Sequence, residues 1–323
     1  MKLYPYKFKP IYKEKIWGGR ALERLFGRKL PEGMMVGESW ELADLPEGVS
    51  IIDNGPLASK SIHELDEEDA EAILGEGVNL DNGRFPLLLK FLDANDILSL
   101  QVHPDADAAT KLGPPAKAKT ECWYIVESRN GYIYKGLKPG ITEQDFRNAI
   151  SEHDDNPEAL KALLQRYDVS AGDFHYLPAG TLHALGPGVV VAEIQTPSYT
   201  TYRVSDWGRG REIHIAEALM CIHFEALPAN PPGAEGDILV KTEYFIVRKV
   251  NFPPVELQEL SAAGNCRAWM TLSGRGKIIT DDVHSDVSIS PGDTLLIPAS
   301  VRKLMLSVTE EMTVLEITIP LSV

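Results

Sequence analysis

Cysteine is scarce in this chain. Its 323 residues hold three, Cys122, Cys221 and Cys266, widely spaced and odd in number, and no Cys-x-x-Cys pair occurs. A disulfide framework and a thiolate zinc site are therefore both excluded as organising features. Long apolar runs are missing as well. No stretch approaches the roughly 18 apolar residues of a membrane span, and Met1-Lys2-Leu3-Tyr4-Pro5-Tyr6-Lys7-Phe8 lacks the apolar segment of a signal peptide. A cytoplasmic location is the default expectation. Positive charge is also short: 32 Lys and Arg stand against 47 Asp and Glu, a formal charge of −15. That balance argues against nucleic acid or an anionic membrane as partner. A small anionic substrate stays admissible only where a local basic pocket overrides the global field.

What is present is ordinary for a soluble globular protein, 44% hydrophobic and 24% charged, and long enough for two domains. The patterning is mainly β. Phe85-Pro86-Leu87-Leu88-Leu89-Lys90-Phe91-Leu92-Asp93 reads as a buried strand, and Asp93-Ala94-Asn95-Asp96 as a turn that folds it into a hairpin with a strand bearing Ser99, Gln101 and His103. Val189 to Gln195 reads as a further strand. A helix is expected from Ser61, with Glu64 completing a capping box. Residues 141–168 change character, and Ile141–Arg147 and Pro157–Leu164 predict two helices, the first capped by Thr142. Residues 227–236, with three Pro and two Gly, read as a linker. The expected division is 1–230 and 236–323.

An internal repeat sets the architecture. Gly172-Asp173, Pro178-Ala179 and His183 recur 120 residues later as Gly292-Asp293, Pro298-Ala299 and Lys303. Glu121…Gly131-Tyr132-Ile133 recurs loosely as Cys266…Gly276-Lys277-Ile278, offset by 145, and the extra 25 residues match the helical insert. Two related β-barrels, the first interrupted by helices, account for both offsets. With Cys266 in the place of Glu121 and Lys303 in that of His183, the second copy is expected to bind no metal.

The chemistry concentrates in the first copy. Residues two apart in a strand project to one face. Ser99, Gln101 and His103 then line one wall, Lys119 and Glu121 a second, and His183 follows the Pro178-Ala179-Gly180 turn. A single His or Glu in a strand is ordinarily a satisfied polar residue, and the combination is what points to a metal. Two imidazoles, a carboxylate and an amide oxygen suit Zn²⁺ or a similar divalent ion, with room left for water or substrate. His63, His153, His175, His214, His223 and His284 take structural or surface roles.

The Gly-Asp…Pro-Ala-Gly…His run resembles the second motif of the cupin barrels, and the ordered set is more specific. Trp17-Gly18-Gly19, Gly37-Glu38-Ser39-Trp40-Glu41, Phe85-Pro86-Leu87-Leu88, Ser99 to Pro104, Lys119-Thr120-Glu121, Gly180-Thr181-Leu182-His183-Ala184 and Glu193-Ile194-Gln195…Arg203 together resemble the type I mannose-6-phosphate isomerases, in their short two-domain bacterial form. The resemblance runs almost end to end. It implies two cupin-like jelly-roll barrels and a zinc-dependent aldose–ketose isomerase acting on a phosphosugar through a cis-enediol. It maps Gln101, His103, Glu121 and His183 to the ligands of one Zn²⁺ per chain. Lys119 and Arg203 fall at active-site positions, while Ser99 and Arg209 fall at the phosphate end. Two positions depart from the pattern. Ser198 is followed by Tyr199 where many relatives have Asp, and Ala118 precedes Lys119 where a His base is sometimes placed. The proton-transfer base is left open, with Asp206 as a substitute. Two other readings compete: another metal-dependent cupin enzyme, such as an Fe(II) oxygenase or an epimerase, and a non-catalytic sugar-binding or regulatory cupin.

Overall fold

The computed structural model describes residues 3–320, apart from 152–156, 226, 229, 261–263, 282–284 and 302. His153, His284 and part of the expected linker lie outside the described residues. Two antiparallel sheets face each other in the first part of the chain. One runs Phe174–Leu177, Glu121–Ser128, Val189–Gln195, Leu88–Ala94, Val36–Leu42 and Ile11–Gly19 from edge to edge. The other runs Leu164–Asp168, Tyr132–Leu137, His183–Leu185, Leu100–Val102 and Tyr202–Ser205. Sequence pattern explains the order. Val189–Gln195, Leu88–Ala94 and Val36–Leu42 are buried at every residue; the first two are largely apolar runs and take the middle of the larger sheet, with Val36–Leu42 beside them.

The hairpin expected between residues 85 and 103 does not form. Leu88–Ala94 already has a strand on each edge, and Leu100–Val102 pairs with His183–Leu185 and Tyr202–Ser205 in the opposite sheet. The turn carries the chain across the sandwich rather than back along it. The N–H groups of Asn95 and Asp96 both donate to the Trp17 carbonyl, at 3.0 and 3.1 Å, and that of Leu98 donates to Leu185 at 2.8 Å.

Trp17, Leu92, Leu98, Trp123, Ile125, Leu177 and Val191 fill part of the space between the sheets. On the outside of the smaller sheet, Leu100, Val102 and Val204 pack against Phe146, Leu160, Ala218 and Cys221. Those four come from helices Glu143–Ser151, Pro157–Leu163 and Ile215–Cys221. Fully burying such side chains contributes about 1.5–3 kcal/mol each. The helical insert is present, and its last five residues, Leu164–Asp168, form an edge strand instead of extending the helix. Both expected caps occur: Asp145 N–H donates to Thr142 Oγ1 at 3.2 Å, and Ser61 and Glu64 form the capping box.

The second β unit covers the outer face of the larger sheet. Leu89, Phe91, Cys122 and Tyr124 share one core with Val247, Ala268, Met270 and Leu315. Arg28 fastens the two by donating to Glu41 at 2.7 and 2.8 Å and to the Gly292 carbonyl. Tyr6–Lys7 also pairs with Thr294–Ile297, so the start of the chain joins the sheet of the second unit. The architecture is thus mainly β, in two cupin-like units with helices on the first.

The repeat is visible in the backbone. Gly172 and Gly292 both take positive φ, 98° and 83°, and each is followed by an Asp that accepts a main-chain N–H, from Ser170 or Ser290, at 2.8 Å. Trp123 donates to Glu193, and Trp269 to Glu316, at 2.9 Å in both cases. This equivalence corrects one expectation. Leu177 lies opposite Glu121 and Ile297 opposite Arg267, so Arg267, not Cys266, holds the place of Glu121. Register shifts between Thr271 and Gly276 absorb the one-residue difference. Lys303 is exposed. Among the described residues no helix is long and apolar enough to cross a membrane.

Candidate metal centre

His103, Glu121 and His183 converge from three separate segments. One ligand atom from each lies within 4.8 Å of the others, and all three residues are buried. Local structure delivers them. Glu121 opens its strand at the end of the sheet, and His183 opens a short strand after a tight turn. That turn needs glycine: Gly180 has φ +82°, and a Cβ there would stand 2.5 Å from the His223 ring. Gly180 N–H also donates to the His103 carbonyl at 2.9 Å, tying two of the contributing segments together.

The donor set fits a metal. Nδ1 of His103 lies 2.9 Å from the Thr200 carbonyl and Nδ1 of His183 lies 2.9 Å from the Thr181 carbonyl. A carbonyl accepts only, so each Nδ1 carries the proton and each Nε2 presents a lone pair to the centre. His103 Nε2 and both Glu121 oxygens are buried without a hydrogen bond, although Lys119 Nζ approaches Oε2 to 2.9 Å. Burial, then the charge of Lys119, holds the His103 pKa well below its ordinary value, which keeps the imidazole in its ligating form. Burial alone would raise the Glu121 pKa, but the charge of Lys119 outweighs it and the carboxylate stays ionised. Gln101 is adjacent, its Nε2 3.3 Å from His183 Nε2 and its Oε1 3.4 Å from Ser99 Oγ. A half-turn of the amide exchanges the two ends and presents the oxygen that a ligand role requires.

A cavity of about 240 Å³ opens beside this cluster, lined in part by Ser99, Gln101, Lys119, Arg203 and Arg211. Its walls carry Lys15, Lys90, Lys119, Arg203 and Arg211 against the carboxylates of Glu38 and Glu193. This is the local positive field that the net charge of −15 lacks. The paired charges form a chain: Lys15 to Glu38 at 2.8 Å, Lys90 to Glu38 at 3.7 Å and Lys90 to Glu193 at 3.0 Å. Burial raises the Glu38 pKa, but Lys90 and Lys15 outweigh it and hold it at about 2. Burial alone would lower Lys90, and Glu193 and Glu38 instead leave it raised. Arg203 lines the cavity with its Nε buried and unpartnered. Tyr199 stands at the wall, accepting from Lys15 Nζ at 3.0 Å.

Of the residues singled out from the sequence, Ser99, Gln101, Lys119 and Arg203 line this cavity, and His103, Glu121 and His183 form the cluster beside it. Arg209 is not brought to the wall. Its guanidinium donates to the Ile97 carbonyl at 2.7 Å and to Asp206 at 3.1 Å, while Arg211, two residues on, reaches the cavity. Asp206 is held by Arg211 at 3.0 and 2.5 Å, and its pKa, which burial would raise, is lowered by that contact. A carboxylate so committed is a brace and not a free base. Lys15 and Lys90 carry no site assignment from the sequence, where Glu38 can face the site without local need and Glu193 enters only within a motif of the resemblance. Lys90 and Glu193 carry a signal nonetheless, since each is a charge inside an otherwise apolar strand and must be paired there.

Known proteins resemble the chain in sequence and fold. A family model described as phosphomannose isomerase type I, catalytic domain, matches residues 6–144. The probable mannose-6-phosphate isomerase GmuF of Bacillus subtilis is 34% identical over 92% of this chain and 94% of its own. The mannose-6-phosphate isomerase of Streptococcus mutans is 33% identical over 90% of each. The crystal structure of the mannose 6-phosphate isomerase from Bacillus subtilis superposes with a TM-score of 0.84 at 32% identity, covering 97% of this chain and 99% of that one. A mannose 6-phosphate isomerase bound with zinc and yttrium shares the fold at 18% identity, with a TM-score of 0.74. By this similarity in sequence and fold, the chain belongs to the type I phosphomannose isomerase family.

Proposed function

We infer that the protein interconverts mannose 6-phosphate and fructose 6-phosphate. The observation that carries this reading is the junction of a buried His-Glu-His cluster with a cavity whose five cations exceed its two carboxylates. A phosphorylated sugar needs the positive wall for its phosphate, and a carbonyl shift needs an electrophile beside the reacting carbons.

His103, Glu121, His183 and Gln101 would hold one Zn²⁺ per chain, which would supply Lewis-acid stabilisation of the charge that develops as the carbonyl moves. The remaining roles fall to the chain's own groups. Isomerisation removes the proton from C2, forms a cis-enediol and returns a proton at C1, while a proton passes between the two oxygens. Lys119, in the wall and 2.9 Å from Glu121, is placed to move protons at that end. Arg203 offers its unspent Nε–H to a sugar oxygen. Ser99 lines the phosphate end with Arg211, and Arg209 acts at one remove by sharing Asp206 with Arg211. The reading places the catalytic domain at 1–230, the metal-free barrel at 236–323, and the protein in the cytoplasm.

A coupled assay for fructose 6-phosphate, run on zinc-loaded protein with and without chelator, tests the activity. Turnover that the chelator abolishes and zinc restores is expected. Absence of turnover in the zinc-loaded protein would overturn the assignment and leave a sugar-binding role.

A further inference from the structure

The strand pairing that builds the metal cluster continues past it. In the smaller sheet Arg203, Gln101, His183 and Lys135 are successive cross-strand partners, so all four side chains share the inner face. In the facing sheet Lys90, Glu193, Trp123 and His175 form the matching row. The first two members of each row line the cavity described above. His183 and Trp123 then meet edge-on, ring centroids 5.4 Å apart, and partition the interior. Lys135 and His175 lie beyond the partition and line a second cavity of about 600 Å³ at the opposite edge of the sandwich.

Polar groups without partners collect in this rear cavity. Thr181 is 3% exposed and its Oγ1 is buried with no hydrogen bond. His175 Nε2 is likewise buried and unpartnered. The Lys135 ammonium makes no hydrogen bond or ion pair among the described residues, and its side chain is half-buried. Leaving a buried polar atom unpaired costs about 1–3 kcal/mol, so two such atoms beside an uncommitted ammonium call for a ligand that uses them. The wall also carries Lys138 and the rings of Phe174 and Tyr167. Its carboxylate, Glu225, is exposed, and His223 is already engaged with Asp105 at 2.8 Å. The cavity thus offers an ammonium and a hydroxyl as donors, one further imidazole nitrogen, and apolar surface beside them.

We propose that the rear cavity is a second binding site, separate from the front one, for a small phosphate-bearing metabolite whose phosphate is held by Lys135 and Thr181. Phosphate presents several acceptor oxygens and two negative charges, which match an uncommitted ammonium and a buried hydroxyl better than a neutral ligand does. The aromatic and aliphatic wall takes the organic part. The assignment does not depend on which reaction the front cavity performs.

Binding of inorganic phosphate to the metal-loaded full chain tests this by titration calorimetry. The double variant Arg203→Met/Arg211→Met first weakens the front cavity. Phosphate binding is expected to survive in that variant and to weaken by about tenfold or more on adding Lys135→Met, the loss of one charge-assisted contact. Thr181→Val, nearly isosteric, is expected to weaken it by a smaller factor and guards against misfolding of the lysine variant. Lys135→Met alone is expected to leave KM of the isomerase within about twofold. No phosphate binding in the front-cavity variant, or binding that Lys135→Met and Thr181→Val both leave unchanged, overturns the proposal.

Discussion

The indole of Trp123 and the imidazole of His183 meet edge-on at 5.4 Å between centroids, while the indole N–H donates to Glu193 at 2.9 Å. One side chain therefore supports a candidate metal ligand and fixes a carboxylate of the cavity wall. Trp123→Phe keeps most of the ring contact and deletes the donor. Glu193 is then left with Lys90 at 3.0 Å. Metal affinity is expected to fall by about tenfold, the lower end for groups that orient ligands. Chelator competition measures it, and an unchanged affinity would show that the indole only fills space.

If His103 and His183 hold the ion, His103→Ala and His183→Ala each lose it, and the wild-type protein carries about one per chain. Elemental analysis after dialysis reads this directly. Lys303→Ala is the control, because that side chain is exposed in the second unit and Arg267 stands where a carboxylate would be needed. Unchanged metal content in both histidine variants would remove the ligand assignment.

Acid stability follows from Glu38. Its pKa is held at about 2, below the ordinary glutamate value of 4.5, by Lys90 and Lys15 acting against burial. A depressed carboxylate contributes stability that is present above the unfolded value and lost as pH falls through the folded one. The window therefore runs from about pH 5 down to about pH 2, with a contribution of about 3 kcal/mol. Glu38→Gln is expected to lower stability at pH 7 and to flatten the decline across that window. Urea unfolding at stepped pH measures both, and a slope identical to wild type would assign the acid sensitivity to other groups.

The cluster of His103, Glu121 and His183 is legible in the sequence because alternation in short strands is a local rule and His183 follows the Pro178-Ala179-Gly180 turn. The failures are of a different kind. Apolar periodicity identifies Leu88–Ala94 as a buried strand but says nothing about which sheet the next strand enters, and the filled edges of Leu88–Ala94 decide that. Bulges add residues without leaving a mark, so matching Cys266 to Glu121 is one position out. Lys90 and Glu193 are visible as charges in apolar runs, yet their place at the cavity depends on partners more than 50 residues apart.

Arg209 and Arg211 pose the sharpest of these questions, since spacing along a loop favours the first and geometry the second. Both donate to Asp206, but only Arg211 lines the cavity, and Arg209 spends further N–H groups on the Ile97 and Asp206 carbonyls. Arg211→Met removes a charge that faces the cavity. Losing such a contact costs about 2–3 kcal/mol, or roughly 30- to 150-fold in kcat/KM. Arg209→Met leaves that charge in place and loosens the brace on Asp206 and the tie to the Ile97 carbonyl. Its effect is expected to stay below about tenfold. Steady-state kinetics on the two variants, with metal content measured alongside, separates them. A larger loss for Arg209→Met would mean that the loop turns over when substrate binds and that the arginines exchange places.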